Sequence, residues 1–249
     1  MIMKIAVCIS CVPDTTSKIN FTENNTQFNK EGIQFIINPN DEFGLTKAIF
    51  IKEQYQAEVI VVSVGQSSIE PVLRKALAIG ADSAVRIDNK AEDSICVAKN
   101  LSKYLSENKF DLIIMGKESA DYNGCVVHGI VAENIGMQFV NACVGLEISD
   151  DSYIIEREME GGTEKVKIKS PVIIAGQKGL VEEKDLKIPN MRGIMQARTK
   201  PLDVLESENF DFIQSIEFNK PSENKECVFI DEENVAELVK ILNEKEKVL

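Results

Sequence analysis

DLIIMGKESADYNGCVVHGIVAENIG, Asp111 to Gly136, is the stretch whose reading decides the fold class. An apolar run, DLIIM (Asp111–Met115), leads through a polar turn with glycines into a helical pattern that spans Gly124 to Ile135. A short Val/Ile/Leu run of this kind is a strand buried on both faces, and a strand that feeds a helix is the repeating unit of a parallel sheet. The unit recurs upstream. KIAVCI (Lys4–Ile9), EVIVVSV (Glu58–Val64) and SAVRI (Ser83–Ile87) alternate with helical patterns over Asp41–Gln56, Ile69–Ile79 and Ala91–Asn108. The spacing predicts a doubly wound α/β domain with a mostly parallel sheet. In such sheets a ligand binds beyond the carboxyl ends of the strands, where strand order reverses.

From Phe139 the pattern changes. SYIIEREMEGGTEKVKIKSPVIIAG alternates on either side of Glu160-Gly161-Gly162, which predicts an added β-hairpin followed by a further buried strand, SPVIIAG. Gln177–Thr199 lacks strong periodicity and reads as a protruding surface segment. After Pro201 the chain reads as an extended C-terminal arm that ends in a helix from Asp231, acidic in its first turn and basic in its last. The expected organisation is therefore an α/β domain over 1–200 and an arm over 201–249.

A net charge of -12 argues against a nucleic-acid or anionic-lipid surface, because both reward clustered Lys and Arg. No apolar run approaches the roughly 18 residues needed to cross a bilayer, and the N-terminus turns polar too soon for a signal peptide. The expectation is a cytoplasmic protein without membrane insertion. The six cysteines are scattered and read as free thiols. Cys8 and Cys11 form a Cys-x-x-Cys pair, but Cys8 lies inside a strand rather than at a helix start, and no second pair completes a metal set.

The common nucleotide and nucleophile signatures are absent: no Walker loop, no G-x-G-x-x-G and no G-x-S-x-G occurs. The only histidine, His128, has Cys125 three residues before it, yet no orienting partner can be named for a catalytic pair. The turn offers a different chemistry. A helix that starts after a strand and a polar turn exposes its first amides, which together with the dipole make an anion site. Asn123 or Asp121 can cap that helix, and Gly124 admits a phosphate. A plain helix cap in a surface loop explains the same residues equally well. In the preceding loops, Asp41 can cap the helix after INPNDEFG, and Ser67 or Ser68 the helix after Gly65.

The chain resembles the β (small) subunit of electron transfer flavoproteins. The likeness runs through VPDT (Val12–Thr15), INPNDEFGL (Ile37–Leu45), VVSVG (Val61–Gly65), LRKALAIGAD (Leu73–Asp82), DLIIMGKESAD (Asp111–Asp121), EREMEGG (Glu156–Gly162), KSPVIIAGQKGL (Lys169–Leu180) and IPNMRGIMQARTKPL (Ile188–Leu202). The resemblance implies an adenine-nucleotide-binding fold with a five-stranded parallel core, and a heterodimer with a larger α subunit that holds most of a redox-active FAD. It implies an AMP in this chain, contacted by Cys8, Asn38, Pro39, Asn40, Asp41 and Val64. It extends that contact through Gly116, Lys117, Glu118, Ser119, Ala120, Asp121, Tyr122, Asn123, Gly124, Cys125, Val126 and Val127. His128 is expected to border the phosphate and add a weak charge contact when protonated. Ile188, Pro189, Asn190 and Met191 match the loop that docks flavin-containing dehydrogenases transiently, and the arm over 201–249 is expected to wrap the α subunit. No catalytic residue and no metal ligand is implied.

Two alternatives stand beside this reading. Members that split electrons carry a second FAD in the AMP site and a longer loop after the third strand; here that loop is only DNKAEDS, Asp88–Ser94, which favours AMP. A stand-alone adenine-nucleotide sensor or hydrolase on the same fold would need no flavin-bearing partner.

Overall fold

The structure is a computed structural model that describes residues 2–248 apart from 92, 150, 209, 211, 214 and 222–226. It opens with β1 (Lys4–Cys8), followed by two short antiparallel ladders, β2 (Cys11–Pro13) with β5 (Phe35–Ile37) and β3 (Phe21–Thr22) with β4 (Gln27–Phe28). Helices then alternate with strands: α1 (Pro39–Tyr55), β6 (Glu58–Val64), α2 (Glu70–Ile79), β7 (Ser83–Asp88), α3 (Ser94–Glu107), β8 (Leu112–Gly116) and α4 (Val127–Ile135). There follow β9 (Gln138–Ser149), β10 (Ser152–Met159), β11 (Gly162–Lys169), β12 (Val172–Gly176), α5 (Met191–Ala197), β13 (Leu202–Glu206) and α6 (Val235–Lys240).

Nine of these strands form one sheet in the order β11-β10-β9-β12-β8-β1-β6-β7-β13. From β9 to β13 every pairing is parallel; β10 and β11 are added antiparallel. Each face of the sheet has its own core, as the period of two along a strand requires. Ile5 and Val7 of β1 face Leu45 of α1 and Leu73 of α2. Ala6 and Cys8 face Leu101 of α3 and Val131 of α4. The fold is therefore doubly wound. From β1 the chain steps through β6 to β7 on one side, then returns to place β8 on the other, so strand order reverses between β1 and β8.

The differences from the expected elements are local. The parallel core has more than the five strands implied by resemblance, because β9 and β13 join it. Strand β9 escapes the apolar pattern because it is irregular: Ala142 has φ 54°, and its register against β12 shifts between Ile174 and Gly176. The start of the presumed arm is β13, an edge strand whose side chains are mostly exposed, so burial does not mark it. Among the described residues, α1 begins at Pro39 with Asn38 preceding it, not with Asp41 as cap, and α4 begins at Val127 rather than Gly124. A 3₁₀ turn, Ser67–Ile69, leads into α2, with no serine side chain capping that helix.

The described residues fall into two compact units, Met1–Asn20 with Asn29–Ile216, and Phe21–Phe28 with Glu217–Leu249. In the second, Phe21 stacks on Phe218 with ring centroids 5.0 Å apart, and the Phe218 amide donates to the Asn25 carbonyl at 2.7 Å. Parts of the presumed arm, at 209, 211, 214, 222–226 and 249, lie outside the described residues. No helix among the described residues is long and apolar enough to cross a membrane.

The packing of α1 on β8 gives a direct test. A Cβ on Gly44 would lie 2.8 Å from Ile114 Cγ2, whereas one on Gly129 in α4 meets nothing within 4 Å. Gly44→Ala should cost about 1–3 kcal/mol through overpacking, and Gly129→Ala should stabilise by up to about 1 kcal/mol through helix propensity. Urea unfolding of both variants checks this. Equal midpoints would show that α1 does not pack this closely.

Candidate functional site

The carboxyl ends of β1 and β8, where strand order reverses, are tied together by Asn38 and Asp41. Pro39 holds Asn38 extended ahead of α1, at φ -53° and ψ 133°. The Asn38 amide donates to the Ser10 carbonyl at 2.9 Å. Its side chain donates to the Glu118 carbonyl at 2.8 Å and accepts from the Ala120 amide at 3.0 Å, so it pairs with the loop after β8 as a neighbouring strand would. Asn40 adds a second, longer bond to the Glu118 carbonyl at 3.3 Å. Asp41 Oδ2 accepts from the Ser10 amide at 2.7 Å. Gly116 is required beside it, since a Cβ there would lie 2.1 Å from Asp41 Oδ1. Asn38 and Asp41 are 1% and 3% exposed, so both act inside the protein on the loops beyond the strand ends.

Burial pushes the Asp41 carboxyl up from 3.8 to about 7; bonds from Ser10, the Asn38 side chain and Gly116 oppose the rise, and the charge of Asp121 adds to it. Cys8, at the end of β1, is buried and its thiol is raised well above the ordinary range, first by burial and then by Asp41. Cys11 is pushed up to about 11 by burial, with Asp121 adding to the rise and Lys30 opposing it. Both are free thiols with the thiolate disfavoured, the opposite of what a redox dithiol needs.

Beyond this hub the chain emerges into solvent. Gly116, Lys117, Glu118 and Ser119 are half-buried, whereas Ala120, Asp121, Tyr122, Asn123, Gly124, Cys125 and Val126 are exposed. The turn folds on itself: the Asn123 amide donates to the Ser119 carbonyl at 2.8 Å, and Asn123 and Cys125 have φ of 48° and 50°. Asp121 bonds the Tyr122 amide rather than capping the helix. The residue before α4 is Val126, and no side chain caps the helix there. The first-turn amides thus face the exposed turn without a side-chain acceptor, an arrangement that suits an anion.

His128 has a different role from the one expected. It is 4% exposed, stacks on Phe139 with centroids 5.0 Å apart, and its Nε2 lies 2.8 Å from the Lys117 carbonyl. Burial holds its pKa below 6.5, and the Lys117 carbonyl opposes that only in part. A neutral ring with Nε2–H donating to Lys117 fits this environment. The histidine braces the loop from the protein side, and protonation would charge a group whose Nδ1 is buried without a partner.

At the carboxyl ends of β6 and β7, sequence reading missed Arg86. It is 6% exposed, donates to the Gly65 carbonyl at 2.9 Å, pairs with Asp88, and has Nε 3.2 Å from Glu70 Oε1. A lone arginine within the apolar run SAVRI was the available signal. It fixes the end of the strand pair next to half-buried Val64.

The expected docking segment lies elsewhere on this unit. Ile188 and Met191 are 81% and 76% exposed, Pro189 is half-buried, and Asn190 caps α5 by accepting the Gly193 amide at 2.8 Å. The segment is anchored, not loose. Arg74 donates to the carbonyls of Ala197 and Lys200 at 2.7 and 2.8 Å, and Lys200 donates to those of Leu77 and Ala81 at 3.0 and 2.5 Å. Thus α2 and α5 cap each other's ends, which the weak periodicity of 177–199 could not show.

Asp41 gives this arrangement a pH signature. Its folded pKa lies above its unfolded value, so its stabilisation is complete below about pH 4 and is lost as pH rises through about 7. The stability of the wild-type chain relative to Asp41→Asn should therefore fall across that window, measured by urea unfolding at several pH values. A difference that stayed flat, or grew with pH, would contradict a buried carboxyl with a raised pKa.

Comparison with known proteins gives the family of the chain. A family model described as the electron transfer flavoprotein domain matches residues 26–209. The chain is 33% identical over 213 residues to the electron transfer flavoprotein subunit beta of Bacillus subtilis, covering 84% of this chain and 81% of that one. It is 30% identical over 236 residues to the corresponding subunit of Syntrophomonas wolfei, covering 94% and 92%. A caffeyl-CoA reductase-Etf complex subunit, CarD of Acetobacterium woodii, is 29% identical over 212 residues, covering 83% and 79%. The chain therefore belongs to the electron transfer flavoprotein family, and within it is related to the β subunits.

Proposed function

We propose that this chain is the β subunit of a heterodimeric electron transfer flavoprotein. It pairs with an α subunit that holds most of an FAD, binds AMP in its own crevice, and passes electrons from flavin-containing dehydrogenases to a respiratory or other acceptor. The cytoplasm is its expected place. The observation that carries the nucleotide reading is the pairing of a rigid hub with an open turn. Asn38 fixes the loop at Glu118 and Ala120 while Asp41 holds the Ser10 amide, and the uncapped start of α4 follows within the same loop.

AMP fits this donor set through main-chain groups. Its phosphate would lie on the amides from Gly124 into the first turn of α4, and its adenine near Cys8 and Val64 at the strand ends. Asn38 and Asp41 would serve the nucleotide indirectly, by shaping the loop. When FAD is bound, the redox chemistry is the flavin's, and the chain's own residues bind, orient and dock. The environment of the site supports a role without catalysis. His128 is engaged with Lys117 and Phe139, Cys8 is buried, and burial together with neighbouring Glu118 raises the Cys125 thiol. Ile188 and Met191 would form the transient dehydrogenase contact, an apolar anchor on a well-braced helix.

The short connection from β7 to α3 favours AMP over a second FAD, although Glu92 within it lies outside the described residues. Expressing the chain with its α subunit, denaturing the complex and identifying the released nucleotides tests the assignment. About one FAD and one AMP per heterodimer is the expected result. Two flavins would replace AMP with a second FAD, and a chain that takes no partner and hydrolyses ATP would point to a sensor or hydrolase.

Gly124 tests the location. It is exposed, and a Cβ there would make only ordinary contacts, the nearest 3.7 Å from Ser94 Oγ. Gly124→Glu should leave stability near wild type while weakening AMP by roughly tenfold, ~1.4 kcal/mol, through repulsion of the phosphate. Unchanged AMP affinity would place the phosphate elsewhere.

A further inference from the structure

Residues past β13 do not simply leave the sheet. They are stitched to α3 by side chains that the nucleotide site does not use. Asn100 is 3% exposed in the middle of that helix, a position where asparagine is a poor helix former. Its side chain donates to the Glu208 carbonyl and accepts from the Glu208 amide, both at 3.0 Å, pairing with the arm as a strand edge would. The same Nδ2 also donates to the Cys96 carbonyl at 3.0 Å, so the amide group is fully used. On either side the stitching continues. Ser207 Oγ donates to the Asp88 carbonyl at 2.6 Å, and Lys103 Nζ lies 2.7 Å from Glu208 Oε1. Lys99 Nζ sits 4.7 Å and 4.4 Å from the ring centres of Phe210 and Phe212. Asp93, which caps α3 through one oxygen, accepts the Phe212 amide at 3.2 Å with the other.

This arrangement orders a segment whose apolar side chains remain in solvent: Phe212, Ile213 and Ile216 are 53%, 64% and 83% exposed. Ordering the backbone costs conformational entropy, and the isolated chain recovers little of that from these side chains. The cost is recovered when a partner covers them, and ordering the segment beforehand removes it from the binding step. We propose that Asn100, assisted by Lys99 and Asp93, is a positioning residue for subunit assembly: it holds Glu208, with Ser207, Phe210 and Phe212 beside it, in place before binding, so that Phe212, Ile213 and Ile216 are presented to the α subunit. The proposal rests on the β-subunit reading for the identity of the partner and adds to it the group that sets the departure of the arm.

Two variants in the full-length chain test it. Asn100→Ala improves helix propensity and so should fold; Lys99→Ala removes the cation that lies over the two phenylalanine rings without entering the core. Backbone hydrogen exchange over Ser207–Phe212 in the unpartnered chain, and affinity for the α subunit, are measured for each. The expected result is faster exchange in that segment, an unchanged thermal midpoint for the rest of the chain, and an affinity loss of about tenfold or more for Asn100→Ala, with a smaller loss for Lys99→Ala. Exchange as slow as wild type in Asn100→Ala would overturn the anchor. Faster exchange with unchanged affinity would overturn its role in assembly. If the wild-type chain itself fails to bind the α subunit, the β-subunit reading fails instead, whatever the exchange data show.

Discussion

Asn38 donates to one loop carbonyl, accepts from an amide two residues further along the same loop, and bonds Ser10 through its own backbone. A parallel sheet has no hydrogen bonds of its own beyond the carboxyl ends of its strands, so the loops there need some other source of order. One buried amide supplies it here. The ends of β1 and β8 and the start of α1 then move as one piece, and Asp41 and Gly116 fill the remaining space so closely that a single added carbon would collide. The exposed turn after Ala120 starts from that fixed base, and His128 braces the same loop from the helix behind it.

The same device recurs at the edge of the sheet. Asn100 uses its amide on Glu208 as Asn38 uses its own on Glu118 and Ala120, each giving an irregular segment the two bonds a neighbouring strand would have given. Unpaired buried amides are expensive, so both asparagines fix a path for the chain as well as adding stability. One path sets the loop after β8 and the other leads on past β13. The segment proposed to dock is held by a third means, the bonds from Arg74 and Lys200 to the carbonyls that end α5 and α2, which leaves Ile188 and Met191 exposed on a firm support.

Much of this was legible in the sequence. Apolar runs such as KIAVCI and DLIIM mark the central strands because they are buried on both faces, and the glycine-bearing stretch after DLIIM marks a turn that leads into a helix. What stayed hidden depended on contacts distant along the chain. Asp41 read as a helix cap because its real partner, the Ser10 amide, lies 31 residues away. His128 read as a charge contact because nothing local shows that it is buried and stacked on Phe139. Strand β9 was broken by a left-handed residue at Ala142, and β13 carries too little buried surface to show an apolar pattern. The role of Asn100 depends on Glu208, 108 residues further along the chain, so nothing local marks it.

The central claim is that a loop held by Asn38 and Asp41 presents main-chain amides to a nucleotide phosphate. A crystal structure of the chain in complex with its α subunit and AMP tests it most directly. The phosphate should lie on the amides from Gly124 into the first turn of α4, with the Asn38 bonds to Glu118 and Ala120 intact and His128 still on Lys117. A nucleotide seated away from that turn, or a loop that must release Asn38 to admit it, would contradict the account.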